Sequence, residues 1–183
     1  MVVDIVLHYA SESDIPAVLE VEKAMEKILG KPPKEYDVKV NRRCASAHKT
    51  PDYIDEIIGE SPADVRGVIL GRQPAAPPAI DANCTEPVIT YLTDGKGSPE
   101  QVYASLNVPS GVACMTAPPW PESMALALLK VASVKEERLK EPIHAYQSKN
   151  RKAVLDTDER YKGKSTEEAD KIFKEREAAK QKK

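Results

Sequence analysis

Cys44-Ala45-Ser46-Ala47-His48-Lys49-Thr50-Pro51 is the stretch whose reading settles the class of this chain. Its small residues carry an imidazole, an ammonium group and hydroxyls, the mark of a turn with chemistry on it. Upstream, Tyr36-Asp37-Val38-Lys39-Val40 alternates apolar and polar residues, as a strand does. Downstream, Pro51-Asp52-Tyr53-Ile54-Asp55-Glu56-Ile57-Ile58 changes to helical spacing, with Thr50 as N-cap and Pro51 as the first helical residue. A strand-to-helix turn in an α/β sheet presents its side chains at the carboxyl edge of the strands, where ligands bind. His48 exchanges protons near pH 7. Lys49 and the open amides of a helix start can hold an anion.

A second turn of the same kind lies upstream. Val2-Val3-Asp4-Ile5-Val6-Leu7 reads as the first strand and runs into Ala10-Ser11-Glu12-Ser13-Asp14-Ile15-Pro16. Val18, Val21, Met25, Ile28 and Leu29 then keep helical spacing up to a Gly30-Lys31-Pro32 stop. Taken alone, Ser13 or Asp14 reads as a simple helix cap. Taken with the His48 turn, two hydroxyls and a carboxylate at a neighbouring strand end favour a site for phosphate and ribose.

The alternation continues. Residues 65–70 read as a third strand, followed by a Pro-rich turn over 73–78 and a short helix; residues 87–92 read as a fourth strand. Residues 93–99 have turn chemistry, with Ser98-Pro99-Glu100 as a helix start, and 111–116 read as a fifth strand. Strands and helices joined by short connections imply a parallel sheet with right-handed crossovers. The expected fold is therefore a flavodoxin-like three-layer α/β/α sandwich. Two C-terminal features stand apart. Residues 124–134 are apolar almost all round, which predicts a helix buried on every side and, in so small a domain, subunit contacts. Residues 151–183 form a charged, mostly helical tail after an α/β domain spanning 1–150. Within the tail, Ser165-Thr166-Glu167-Glu168 reads as a capping box, and Glu167 with Lys171 and Asp170 with Lys174 as i, i+4 pairs.

Composition bounds the function. The 183 residues suffice for one substantial core, with 41% hydrophobic and 31% charged residues. Lys+Arg 27 against Asp+Glu 29 leaves a net charge of −2, so nothing global calls for nucleic acid or a membrane. The first residues lack the basic and apolar regions of a signal peptide, and no segment has the apolar length of a membrane span. A cytoplasmic protein is expected. Cys44, Cys84 and Cys114 are odd in number and show no C-x-x-C, and His8, His48 and His144 show no ligand spacing, so neither a disulfide framework nor a metal is expected.

The two turns resemble those of the phosphoribosylaminoimidazole carboxylase family of purine biosynthesis. Ala10-Ser11-Glu12-Ser13-Asp14 is similar to its G-S-x-S-D turn, and Ser46-Ala47-His48-Lys49-Thr50-Pro51 to its S-A-H-[RK]-x-P turn. Leu70-Gly71-Arg72 sits where the CO2-using branch, class II, carries A-G-R-S-N. The segment Val102-Tyr103-Ala104-Ser105-Leu106-Asn107-Val108-Pro109-Ser110-Gly111-Val112 resembles that branch's S-S-L-x-x-P-S-G. The resemblance implies the same flavodoxin-like fold, an octamer, no cofactor, and aminoimidazole ribonucleotide and CO2 as substrates. It implies that His48 and Lys49 are catalytic, that Ser11, Ser13, Ser46 and Lys49 bind phosphate, and that Asp14 binds the ribose. It further implies that Gly71, Arg72 and Gln73 line the substrate pocket. Two departures matter: Ala10 replaces the family glycine, and Gln73-Pro74 replaces the serine and asparagine of the CO2 wall. The first requires a negative φ at Ala10. The second keeps open a non-catalytic or substrate-shifted relative, beside a mutase acting on the N5-carboxylated nucleotide.

Overall fold

The computed structural model describes residues 2–47, 49–69, 75–93, 107–108 and 110–180. Five strands form an all-parallel sheet: β1 (Val3–Tyr9), β2 (Val38–Cys44), β3 (Val65–Ile69), β4 (Val88–Tyr91) and β5 (Met115–Ala117). Their order is β2-β1-β3-β4-β5, so the sheet grows outward in both directions from β1 and β3. Among the described residues the helices are α1 (Ile15–Leu29), α2 (Ile54–Gly59), α3 (Ala76–Asp81), α4 (Pro121–Ala132), α5 (Lys140–Tyr161) and α6 (Thr166–Lys180). This is the flavodoxin-like order that the alternation predicts.

Pleating sends alternate residues to opposite faces. Leu7 and Gly67 are register partners, and Leu7, Met124 and Leu128 of α4 close around Gly67. Their neighbours His8 and Val68 are also partners and face the other way. There Val68 and Val88 join Ala45, Ile54, Ala76 and Ile80 in a buried cluster under α2 and α3. Helix α1 keeps its spacing and ends where Gly30 turns left-handed at φ 70°, donating its amide to Glu26 O at 2.8 Å.

Several boundaries move from where the sequence put them. Strand β2 starts at Val38, because residues Pro33–Tyr36 coil into a 3-10 turn closed by Asp37 at φ 56°. Pro77 and Pro78 belong to the first turn of α3 rather than to a preceding turn, since first-turn residues have no intrahelical partner for an amide hydrogen. Strand β5 begins only at Met115; before it the Ala113 amide is taken by Asp81 Oδ2 at 2.8 Å, not by a ladder. The helix start expected at Ser98 lies outside the described residues. Helix α4 ends at Ala132, not Val134, and is not closed on every side. Met124, Ala125, Leu128, Leu129 and Ala132 are buried within the chain, while Leu126, Ala127 and Val131 are half-buried and Val134 is exposed.

The chain divides into two compact units, 1–144 and 145–183. The second is helical: Gly163 at φ 72° breaks the chain between α5 and α6. The capping box forms there, with the Ser165 amide on Glu168 Oε2 at 2.9 Å and the Glu168 amide on Ser165 Oγ at 3.3 Å. Asp170 and Lys174 pair at 2.6 Å. No helix among the described residues is long and apolar enough to cross a membrane.

Candidate active site

Chain direction positions the site. β1 leads through α1 to β2 on one side of it, whereas β2 leads through α2 back to β3 on the other side. The loops leaving neighbouring strands therefore diverge at their carboxyl edges and leave a crevice at the reversal of strand order. The first two loops are the turns singled out in the sequence. They are tied at their roots, where the Ala45 amide donates to Tyr9 O at 2.8 Å.

In the first turn Asp14 is the organiser. Its Oδ2 accepts the Ala10 amide at 3.1 Å, the Ser11 amide at 3.0 Å and Ser11 Oγ at 3.3 Å. Ser11 and Ser13 share a hydrogen bond at 2.7 Å between their hydroxyls. Asp14 is buried, Ser11 half-buried and Ser13 exposed, so polarity rises toward solvent. Among the described non-glycine residues only Asp37 has a positive φ, so alanine at position 10 is unstrained.

The second turn is closed on itself. The Lys49 amide donates to Ser46 Oγ at 3.3 Å, and the Thr50 amide to Ser46 O at 2.8 Å. Ser46 is buried and Lys49 is exposed. Thr50 differs from expectation. Its hydroxyl does not cap the following helix but turns back to Ser46, accepting the Ser46 amide at 3.2 Å and donating to Ser46 O at 3.0 Å. The spacing Ser46-x-x-x-Thr50 was the available signal for this, and the following proline masked it by suggesting a cap.

Of the residues read as functional, the structure brings Ser11, Ser13 and Asp14 into one hydrogen-bonded group and Ser46 with Lys49 into another. His48, Gly71, Arg72 and Gln73 lie outside the described residues. A cavity of about 720 Å³ opens elsewhere, along the outer side of β2 between Glu22, Glu26, Lys34, Lys39 and Arg42, and none of the expected site residues lines it. No three His, Cys, Asp or Glu side chains converge as a metal-ligand group among the described residues.

Within the sheet lies a polar cluster that the sequence did not announce. His8 and Arg66, each 1% exposed, meet at 3.3 Å, and Arg66 forms an ion pair with Glu86 at 2.9 Å. An arginine only donates, so His8 Nε2 is the acceptor and Nδ1 carries the hydrogen, with no partner for it among the described residues. Burial, then the charges of Arg66 and Arg43, push the His8 pKa down to about 3, against a weaker upward pull from Glu86. Burial alone would raise the pKa of Glu86, but amide hydrogen bonds and Arg66 outweigh it and hold the carboxyl below its ordinary value.

The family model described as AIR carboxylase matches residues 4–153. The chain belongs to the AIR carboxylase family. Two curated relatives agree. An N5-carboxyaminoimidazole ribonucleotide mutase of Methanocaldococcus jannaschii is 31% identical over 154 residues, covering 83% of this chain and 93% of the relative. A phosphoribosylaminoimidazole carboxylase of Archaeoglobus fulgidus is 33% identical over 129 residues, covering 68% of this chain and 71% of the relative. Two crystal structures from Treponema denticola share the fold. PurE superposes with a TM-score of 0.71 at 20% identity, covering 87% of this chain and 98% of that one. A serine-to-aspartate variant of PurE2 gives 0.73 at 19% identity, covering 88% and 99%. Membership in the AIR carboxylase family thus rests on sequence and is matched by the parallel sheet and its order.

Proposed function

We propose that this protein is a phosphoribosylaminoimidazole carboxylase that joins CO2 to C4 of aminoimidazole ribonucleotide, giving carboxyaminoimidazole ribonucleotide in purine biosynthesis. The observation that carries the reading is the pair of adjoining hydroxyl-bearing turns at the carboxyl edges of β1 and β2, one of them spelling Ser46-Ala47-His48-Lys49. C4 of the substrate is enamine-like and attacks the CO2 carbon, forming a C–C bond and a tetrahedral C4 that holds both hydrogen and carboxylate. Aromaticity returns when a base removes that hydrogen as a proton. His48 is assigned this transfer, since an imidazole titrates near the working pH. Ser11, Ser13, Ser46 and Lys49 are assigned to the phosphate, Asp14 through its second oxygen to the ribose, and Gly71, Arg72 and Gln73 to the CO2 wall. Lys49 also steadies the new carboxylate. The chemistry asks for no redox or group-carrying cofactor, and a cytoplasmic location fits it.

The alternative is mutase activity on the N5-carboxylated nucleotide, which the name of the Methanocaldococcus relative favours. Lys49 where the family's mutases carry arginine, and Gly71-Arg72 in place of their longer Gly-rich, His-containing loop, favour CO2. Ultraviolet absorbance with aminoimidazole ribonucleotide and bicarbonate tests the choice. Carboxylation should rise with dissolved CO2 and respond to carbonic anhydrase, and His48→Asn should cost at least ~10²-fold in turnover with little change in substrate binding. Efficient conversion of the carboxyamino nucleotide in CO2-depleted buffer would establish the mutase instead. Failure with both donors would identify a non-catalytic relative.

A further inference from the structure

We propose that Thr50, to which the carboxylase reading gives no part in binding or chemistry, is a positioning residue that sets the second turn before any ligand arrives. Its catalytic meaning rests on that reading. The geometry is a hydroxyl used from both sides of one residue: Thr50 Oγ1 accepts the Ser46 amide at 3.2 Å and donates to the Ser46 carbonyl at 3.0 Å. The Thr50 amide meets the same carbonyl at 2.8 Å. Ser46 is 3% exposed, so without Thr50 its amide would be a buried donor cut off from this partner. The ordinary task of a threonine before a helix passes to its main chain, whose carbonyl accepts the Tyr53 amide at 3.2 Å.

A hydroxyl engaged as donor and acceptor by Ser46 works through the turn rather than on a ligand. An open loop of five residues would have to be ordered on binding, and that ordering subtracts from affinity. Closed by Thr50, the segment offers the Ser46 hydroxyl and the Lys49 backbone already arranged. His48, the assigned proton carrier, lies between them in the chain, so a looser clasp reaches both binding and chemistry. Misplacement of about 1 Å at a reacting centre costs up to ~10²-fold in rate.

Two substitutions separate positioning from bulk stability. Thr50→Val keeps the shape and removes both hydrogen bonds, whereas Thr50→Ser keeps the hydroxyl. With aminoimidazole ribonucleotide and CO2, kcat/KM should fall at least ~10-fold in Thr50→Val, through a lower kcat and a higher KM, with Tm within about 3 °C of wild type. Thr50→Ser should stay within about 3-fold. Hydrogen exchange at the Ser46 amide needs no substrate and should be at least ~10-fold faster in the valine variant than in the serine variant. Wild-type kcat/KM in Thr50→Val, equal losses in both variants, or losses that follow Tm overturn the proposal, as does unchanged Ser46 exchange. If the wild-type protein converts no substrate while the exchange difference persists, the clasp stands and the carboxylase reading is what fails.

Discussion

Asp14 organises the first turn, and the proposed reading gives the same side chain a second task. Its Oδ2 takes three hydrogen bonds from Ala10 and Ser11, which fixes the turn, and leaves the other oxygen to the role assigned on the ribose. Sequence spacing exposed Asp14 as a cap candidate but not the sharing of its two oxygens, because that depends on the path of the backbone through Ala10. His8 was invisible as a special residue for a related reason. A histidine in an alternating strand reads like any other polar position until the register sets it across from Val68 and diagonal to Arg66. Its depressed pKa makes a pH prediction. In the unfolded chain His8 titrates near 6.5, whereas in the fold it resists protonation down to about 3. Between those values the unfolded state binds the extra proton, so stability is complete above pH 6.5 and is lost as pH falls toward 3. This one group should remove about 2 kcal/mol between pH 7 and pH 5. Urea unfolding of His8→Leu at both values should show that much less acid loss than wild type. Parallel acid limbs in the two proteins would contradict the assignment of His8 as the proton-binding group.

At the scale of elements, helix α4 approaches the sheet over Gly67. A Cβ there would lie 2.7 Å from Met124 Cε and 2.8 Å from Leu7 Cδ2. Alanine at 67 would recover some of the backbone entropy that glycine loses on folding but would overpack this contact, for a net destabilisation of about 1–2 kcal/mol. Met124→Ala alone should cost about 2–5 kcal/mol through the cavity it leaves. Combined, the two should cost less than their sum, because the new methyl takes part of the vacated space; denaturant midpoints of the four proteins measure the coupling. Strict additivity would mean that Met124 is not what limits position 67. The first four strands and α1 were legible because apolar periodicity reports burial, and burial forms those elements. The start of β5 was not legible. Residues 111–114 have strand-like composition, yet a side chain 32 residues away, Asp81, takes the Ala113 amide. Pro77 and Pro78 misled for the opposite reason, since proline marks both turns and helix starts.

At the scale of the whole molecule, α4 again decides what to expect. The chain buries one face of this helix and leaves Leu126, Ala127 and Val131 half-open, so the surface is apolar without being closed. We propose a closed homo-oligomer, an octamer by resemblance to the family, in which such surfaces meet. Light scattering at micromolar concentration should return a multiple of the chain mass of about 20 kDa, and a monomer would refute the assembly. The strand order carries a different consequence, one about time. β1 leaves the ribosome before its neighbours, yet its second neighbour is β3, and the Asp4 amide is held by Asp64, 60 residues further on. The centre of the sheet therefore cannot close until some 60 residues beyond Asp4 have been made. During that interval Val3, Ile5 and Leu7, all fully buried in the finished fold, have only β2 and α1 to cover them. A nascent chain stalled before residue 65 presents an unfinished sheet edge at its most apolar strand, which makes synthesis, rather than the mature protein, the moment at which this fold is most open to aggregation.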